Sequence, residues 1–127
     1  MRLALALAAA ALSVPSFAPP ASAAPGAAPV EVYMARLSAQ DHFGADGARL
    51  TSVAAIVRQD RANYHSNGPR DAEDETDVFF ASAENRARLE ALIAQGSVTP
   101  TATRAILNGA PLIIVRVYET YVEIDVR

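Results

Sequence analysis

The chain has 127 residues, no cysteine, eleven Lys plus Arg against fourteen Asp plus Glu, and a formal charge of −3. Without cysteine there is no disulfide scaffold, no thiolate metal site and no cysteine nucleophile. The acidic balance speaks against a nucleic-acid partner, which requires a basic face. All the cationic side chains except histidine are Arg and Ala is abundant, a usage that fits GC-rich bacterial codons.

The first residues carry an address. Met1-Arg2 precedes Leu3–Leu12, built only from Leu and Ala, and a Pro/Ala/Ser stretch that ends in Ala21-Ser22-Ala23. One positive charge, a short apolar block and a small-residue site make a secretory signal, read as residues 1–23 and cut between Ala23 and Ala24. The block is too short for a permanent span, and no later apolar run is longer, so no stable membrane insertion is expected after cleavage. The expected destination is the periplasm, or the medium beyond it. A lipid anchor would need a cysteine that the chain lacks. Residues 24–29 read as a flexible Pro/Ala/Gly linker, and residues 30–127 as one small domain.

Val30–Leu37 alternates, with Val30, Val32 and Met34 on one side, and predicts a strand with one buried face. Ser38–Asp41 suits a capped helical turn, and Gly44 and Gly47 mark the loop after it. Leu50–His65 reads as a helix with Thr51 or Asp46 as N-cap. Its stripe is Leu50, Val53, Ala54, Val57 and Tyr64. A buried strand over Val53–Val57 is the alternative, disfavoured because Arg58-Gln59-Asp60-Arg61 continues without a breaker. Ser66–Pro69 ends the helix. Asp71–Asp77 is an acidic connector, and Phe79-Phe80 plugs it into the core. Ser82 caps a second helix, Ala83–Gln95, with Gly96 beyond its end and Glu84–Arg88 and Arg86–Glu90 as helical ion pairs. Leu89, Leu92 and Ile93 form its buried stripe. Thr99-Pro100 opens a third helix that Asn108-Gly109 closes. Leu112–Tyr118 and Thr120–Val126 are β-rich, and a single strand of that length would overrun so small a domain, so a bend is expected near Glu119-Thr120. The expected fold is α+β, with about three short helices on a small sheet formed by the N-terminal strand and the C-terminal strands.

The chemistry-bearing residues are few. A hydrolytic metal site needs about three converging imidazole or carboxylate ligands, and His42 and His65 stand in no fixed ligand spacing. His65 has a ready structural role at a helix C-terminus, where a cation complements the dipole. Asp71–Asp77 packs five acids into seven residues. Alternate oxygen ligands suit calcium, but the central Gly and closing Glu of an EF-hand are missing, and ordinary acidic loops look the same. There is no GxSxG, no Ser-x-x-Lys and no phosphate-binding glycine fingerprint. Tyr118 and Tyr121, with Tyr33, could line a small pocket, although aromatics on a half-buried sheet usually just pack. Arg58 and Arg61 fall on nearly one helix face and could clamp a carboxylate on a partner, with a solvated face as the plainer reading.

The run Arg49–His65, with Asp71–Phe80, Asn85–Glu90 and Ile106–Pro111, resembles a group of small, exported, uncharacterised proteobacterial proteins with no assigned activity. The resemblance covers residues 36–113 and is less typical after Val115. It implies bacterial export and carries over no site residue.

These readings favour a non-enzymatic binding or interaction domain of the bacterial envelope, with no catalytic residue, no metal ligand and no cofactor assigned. The candidate partner-binding face comprises Arg58, Arg61, Tyr118 and Tyr121. The partner would be a protein, or a second copy pairing through the C-terminal strand edge. The alternative is a small metal-binding protein or hydrolase using His42, His65 and the Asp71–Asp77 acids.

Overall fold

The computed structural model describes Gly26–Arg127; the signal and its cleavage point lie outside the described residues. The fold is α+β. Four strands, β1 (Glu31–Arg36), β2 (Ser97–Val98), β3 (Leu112–Val117) and β4 (Val122–Val126), form one sheet in the order β1-β3-β4-β2. β3 runs antiparallel to β1 and β4, and β2 lies parallel to β4. The helices are α1 (Val53–His65), α2 (Ala83–Ala87), α3 (Leu89–Gln95) and α4 (Pro100–Asn108). Among the described residues, no helix is long and apolar enough to cross a membrane.

Alternation along the strands separates a core face from an open one. Tyr33, Ala35 and Leu37 are buried with Ile113, Val115 and Val117 of β3 and Val122 and Ile124 of β4. The helices add Ile56, Val57, Leu89, Leu92, Ala102 and Ile106, and Phe80 plugs in as the sequence suggests. Burying each of these larger apolar side chains is worth about 1.5–3 kcal/mol. The set Val30, Val32 and Met34 is therefore the outer side of β1, and Val32 stays 46% exposed. The alternation is right and the face is inverted. Tyr33 decides it, because its ring packs edge-on to Phe80 and beneath the Arg61 guanidinium.

Three further expectations need correction. α1 begins at Val53 and is capped by Ser52, whose side chain accepts from the Ala55 N–H. Leu50 belongs to the preceding loop, where its N–H bonds to the His42 carbonyl. The predicted helix Ala83–Gln95 breaks at Arg88 into α2 and α3. Neither of its expected ion pairs forms among the described residues, and Arg86 turns back onto the carbonyls of Phe80 and Ala81. The C-terminal segment does bend between Tyr118 and Tyr121, giving two strands, but neither is a free edge. β3 is flanked on both sides, while β2 and the Thr99 N–H, which bonds to the Ile124 carbonyl, cover β4.

The sheet edges belong to β1 and to the two-residue β2, and the acidic run covers the longer one, β1. The Met34 N–H donates to Glu75 Oε2 at 2.9 Å and the Arg36 N–H to Asp74 Oδ1 at 2.8 Å. The Glu75 N–H returns a bond to the Met34 carbonyl. In exchange, the Glu31 carboxylate accepts from the N–H groups of Val78 and Phe79. Carboxylates thus occupy the outward donors that would otherwise template another strand.

Candidate functional site

Two polar features stand out, one inside the domain and one on its surface. The inner one centres on Arg61, which is fully buried, with Asp60 at 2% exposure. Arg61 Nε donates to Asp60 Oδ2 at 2.8 Å, and Nη1 donates to Asp77 Oδ1 at 2.9 Å and to the Glu75 carbonyl. Its guanidinium lies 4.4 Å from the Tyr33 ring centre and 4.7 Å from that of Tyr64. Asp77 also meets His65 Nε2 at 2.7 Å and accepts from the Phe80 N–H. Burial in water-poor surroundings penalises carboxylate charge, and it lifts the Asp60 carboxyl to about 7 despite the Arg61 charge beside it. Burial likewise pushes the Tyr33 phenol well above its ordinary value, so that ring is neutral. The Tyr33 hydroxyl and Arg61 Nη2 find no partner among the described residues.

The network takes in His65 and Asp77, and separate bonds account for His42 and the rest of the acid run. Asp71 accepts from Ser38 Oγ, Asp74 from the Arg36 N–H, and Glu73 pairs with Arg36 at 3.0 Å. His42 is buried, with Nδ1 on the Ser38 carbonyl at 2.8 Å and Nε2 on the Ile106 carbonyl at 2.7 Å. Both ring nitrogens thus face backbone carbonyls at hydrogen-bond distance inside the domain, and neither points to an open position where a metal could sit. Among the described residues, no group of three or more His, Asp or Glu is arranged to hold an ion. The acids join strand, loop and helix.

The surface feature is a cleft of about 810 Å³ along the outer side of α1. It is lined by Ala54, Ala55, Arg58, Gln59, Ala62 and Asn63 of α1, by Phe43 and Leu50 of the preceding loop, and by Arg86, Ala87, Leu89 and Glu90 of α2 and α3. The size falls in the range of ligand sites. Neither Arg58 nor Arg86 has a carboxylate in salt-bridge range among the described residues. The lining runs the length of α1, from its N-cap Ser52 to its C-cap Ser66, so both ends of the helix dipole reach it and the two arginines carry its cationic character. Its charged lining is Arg58 and Arg86 against the single carboxylate of Glu90, a net positive balance on an acidic protein.

Beneath it runs a chain of amides. Gln59 Nε2 donates to Asn63 Oδ1 at 2.9 Å, and Asn63 Nδ2 donates to Asp41 Oδ1 at 3.0 Å. Asp41 Oδ2 accepts from the Ser38 N–H, closing a capping box. Asp41 is 1% exposed, and burial lifts its carboxyl to about 6, outweighing the bonds from Asn63 and Ser38.

The candidate face therefore divides. Arg58 is exposed and lines the cleft, whereas Arg61, three residues on, is buried and cannot share that surface. Tyr118 and Tyr121 stack at 4.2 Å on the β3–β4 turn, against Val30 and outside the cleft lining. Tyr33 is in the core and does not join them. The residues missed by sequence reasoning are Asp41, Asp60 and Asn63, whereas Asp77 was among the acids it singled out, in a metal or hydrolytic role. A signal for one of them was present: the stripe that includes Val53, Val57 and Tyr64 continues through Asp60 and Arg61 at helical steps. Comparison with protein-family models, curated proteins and solved structures finds no match.

Proposed function

We propose that the protein is an exported, non-enzymatic binding domain of a bacterial envelope, and that its α1 cleft receives an acidic segment of a protein partner. The signal-like residues 1–23 support export. The observation that carries the binding reading is the pair Arg58 and Arg86 in one ligand-sized cleft, neither held by a carboxylate among the described residues, although Arg86 also donates to the Phe80 and Ala81 carbonyls. Apolar Phe43, Leu50 and Leu89 give the same cleft surface against which a peptide backbone and side-chain stems can pack. Neither histidine lines it, and Ser52 is spent on capping α1.

The test uses the processed protein purified from cells, whose denatured mass is expected to begin at Ala24. Tetraglutamate is the probe, titrated by calorimetry at low salt. Reversing both charges, Arg58→Glu with Arg86→Glu, lowers affinity by about tenfold, the sum of two lost attractions and two new repulsions. Reversal of Arg104, outside the cleft, leaves affinity unchanged. Equal loss from Arg104→Glu would show general charge attraction and remove the cleft from the account.

A further inference from the structure

We propose that Asp41, acting through Asn63, sets the polarity of the group that Gln59 shows to the cleft: an acceptor when the carboxyl is ionised, a donor when it carries a proton. The proposal deepens the binding reading above and rests on it for its consequence, although the relay itself can be observed without a ligand.

Hydrogen-bond sense is dictated along one chain of three side chains, Asp41, Asn63 and Gln59. An ionised carboxylate only accepts, so Asn63 must turn its NH2 toward Asp41 Oδ1 and its carbonyl toward Gln59. Gln59 then donates inward through Nε2, which leaves its Oε1 as the free end of an amide that lines the cleft. Protonation has one available place. Asp41 Oδ2 faces the Ser38 N–H, a backbone donor that cannot reverse, so the proton sits on Oδ1. Oδ1–H now donates and needs an acceptor. Asn63 meets it by rotating its amide half a turn, presenting Oδ1 to Asp41 and NH2 to Gln59. Gln59 answers with the same rotation, giving Oε1 to Asn63 and freeing Nε2–H2 for the cleft. No backbone moves, and every inner bond is replaced by one of the opposite sense.

The surroundings place the change within reach. Burial is the largest influence on the Asp41 carboxyl, and the negative charges of Asp71 and Asp74 from the acidic run add to it. Asp60, on α1, is coupled to Asp41 and takes its own proton at higher pH. His42, next in the chain, turns its ring away from Asp41 toward the Ser38 and Ile106 carbonyls. The midpoint near 6 lies well above the carboxylates of a tetraglutamate probe, which remain mostly ionised at pH 5. A third donor beside Arg58 and Arg86 then favours the acidic ligand on the low-pH side.

The experiment follows the side-chain NH2 signals of Gln59 and Asn63 in the 15N-labelled processed protein from pH 7.5 to 5. Both are expected to shift with one midpoint, and the Asn63 NH2 exchanges its proximity to the Asp41 β-protons for the Gln59 γ-protons. Asp60→Asn leaves this inversion in place, since Asp60 touches neither amide. Asp41→Asn is the sharper variant. Its carbonyl must accept from the Ser38 N–H, so its NH2 faces Asn63 and locks the inverted relay. At pH 7.5 it is expected to bind tetraglutamate about tenfold more tightly than the unmodified protein, the increment of one hydrogen bond to a charged group. Amide signals that stay fixed across the titration would overturn the proposal, as would Asp41→Asn spectra that match the unmodified protein at pH 7.5. Amides that invert while tetraglutamate fails to bind at either pH would support the relay and retire the cleft as a binding site. Binding with fixed amides would do the reverse.

Discussion

Replacing Arg61 with Met tests the inner network most severely. The substitution keeps a flexible apolar stem of similar length and removes the guanidinium. Asp60 and Asp77, both at 2% exposure, lose the donors at 2.8 and 2.9 Å, and the Glu75 carbonyl loses its bond as well. Removing one partner of a buried ion pair costs about 3–5 kcal/mol, because the remaining charge stays out of water. The stacking of the guanidinium between Tyr33 and Tyr64 goes with it. A domain of this size has a net stability of about 5–15 kcal/mol, so the change removes much of it. At roughly 4–8 °C per kcal/mol, the midpoint falls by roughly 12–40 °C. Thermal denaturation followed by circular dichroism at pH 7.5 reads this directly. Some of the loss returns at pH 5, where the buried Asp60 carboxyl carries a proton and no longer needs a cation. A melting point within about 4 °C of the original would mean a loss under about 1 kcal/mol and refute the buried assignment of Arg61.

Three other outcomes follow from the geometry. The Asp60 carboxyl is raised from 3.8 to about 7, so the folded state holds its proton more tightly than the unfolded chain. Its contribution is complete below the unfolded value and is lost as pH rises through that window, an effect of order 4 kcal/mol. The urea midpoint should therefore fall from pH 5 to pH 7.5, and Asp60→Asn should flatten the decline; an unchanged slope in the variant would contradict the assignment. At Gly96, between α3 and β2, an added Cβ would overlap the Val122 carbonyl of β4. Gly96→Ala should cost about 1–3 kcal/mol by urea denaturation, since backbone on both sides must shift; a neutral result would place β2 away from β4. Asp74→Ala frees the Arg36 N–H and the Asp71 N–H that its two oxygens hold. Hydrogen exchange at Arg36 should accelerate by about tenfold or more as that cover goes, for a loss near 1–2 kcal/mol; unchanged protection would mean the acidic run does not cover the edge.

The sheet and its helices were largely legible because they depend on local signals. Alternation marked β1, Thr99-Pro100 marked α4, and β-branched density marked β3 and β4. What escaped was set by pairing over long sequence distances. The inner face of β1 depends on Tyr33 meeting Phe80 and Arg61, which periodicity cannot distinguish from its opposite. β2 is two residues long and exists through β4 alone. The split between α2 and α3 leaves no breaker at Arg88 for a reader to notice. The site was hardest, since charge in Arg58-Gln59-Asp60-Arg61 reads as solvation until the acids of a distant loop fold over it. Arg58 carried into the candidate site and Arg61 did not, although both are arginines on one helix. The distinction rests on Asp77, sixteen residues beyond Arg61.

The most direct test of the binding account is site-specific photocrosslinking in intact cells, with the reactive side chain at Ala55 in the cleft lining or at Arg104 on α4. The account predicts a discrete adduct from Ala55 only, abolished by Arg58→Glu with Arg86→Glu, with the crosslink mapping to an acidic segment of the partner. Adducts of equal yield from both positions, or an Ala55 adduct indifferent to the two charge reversals, would contradict it.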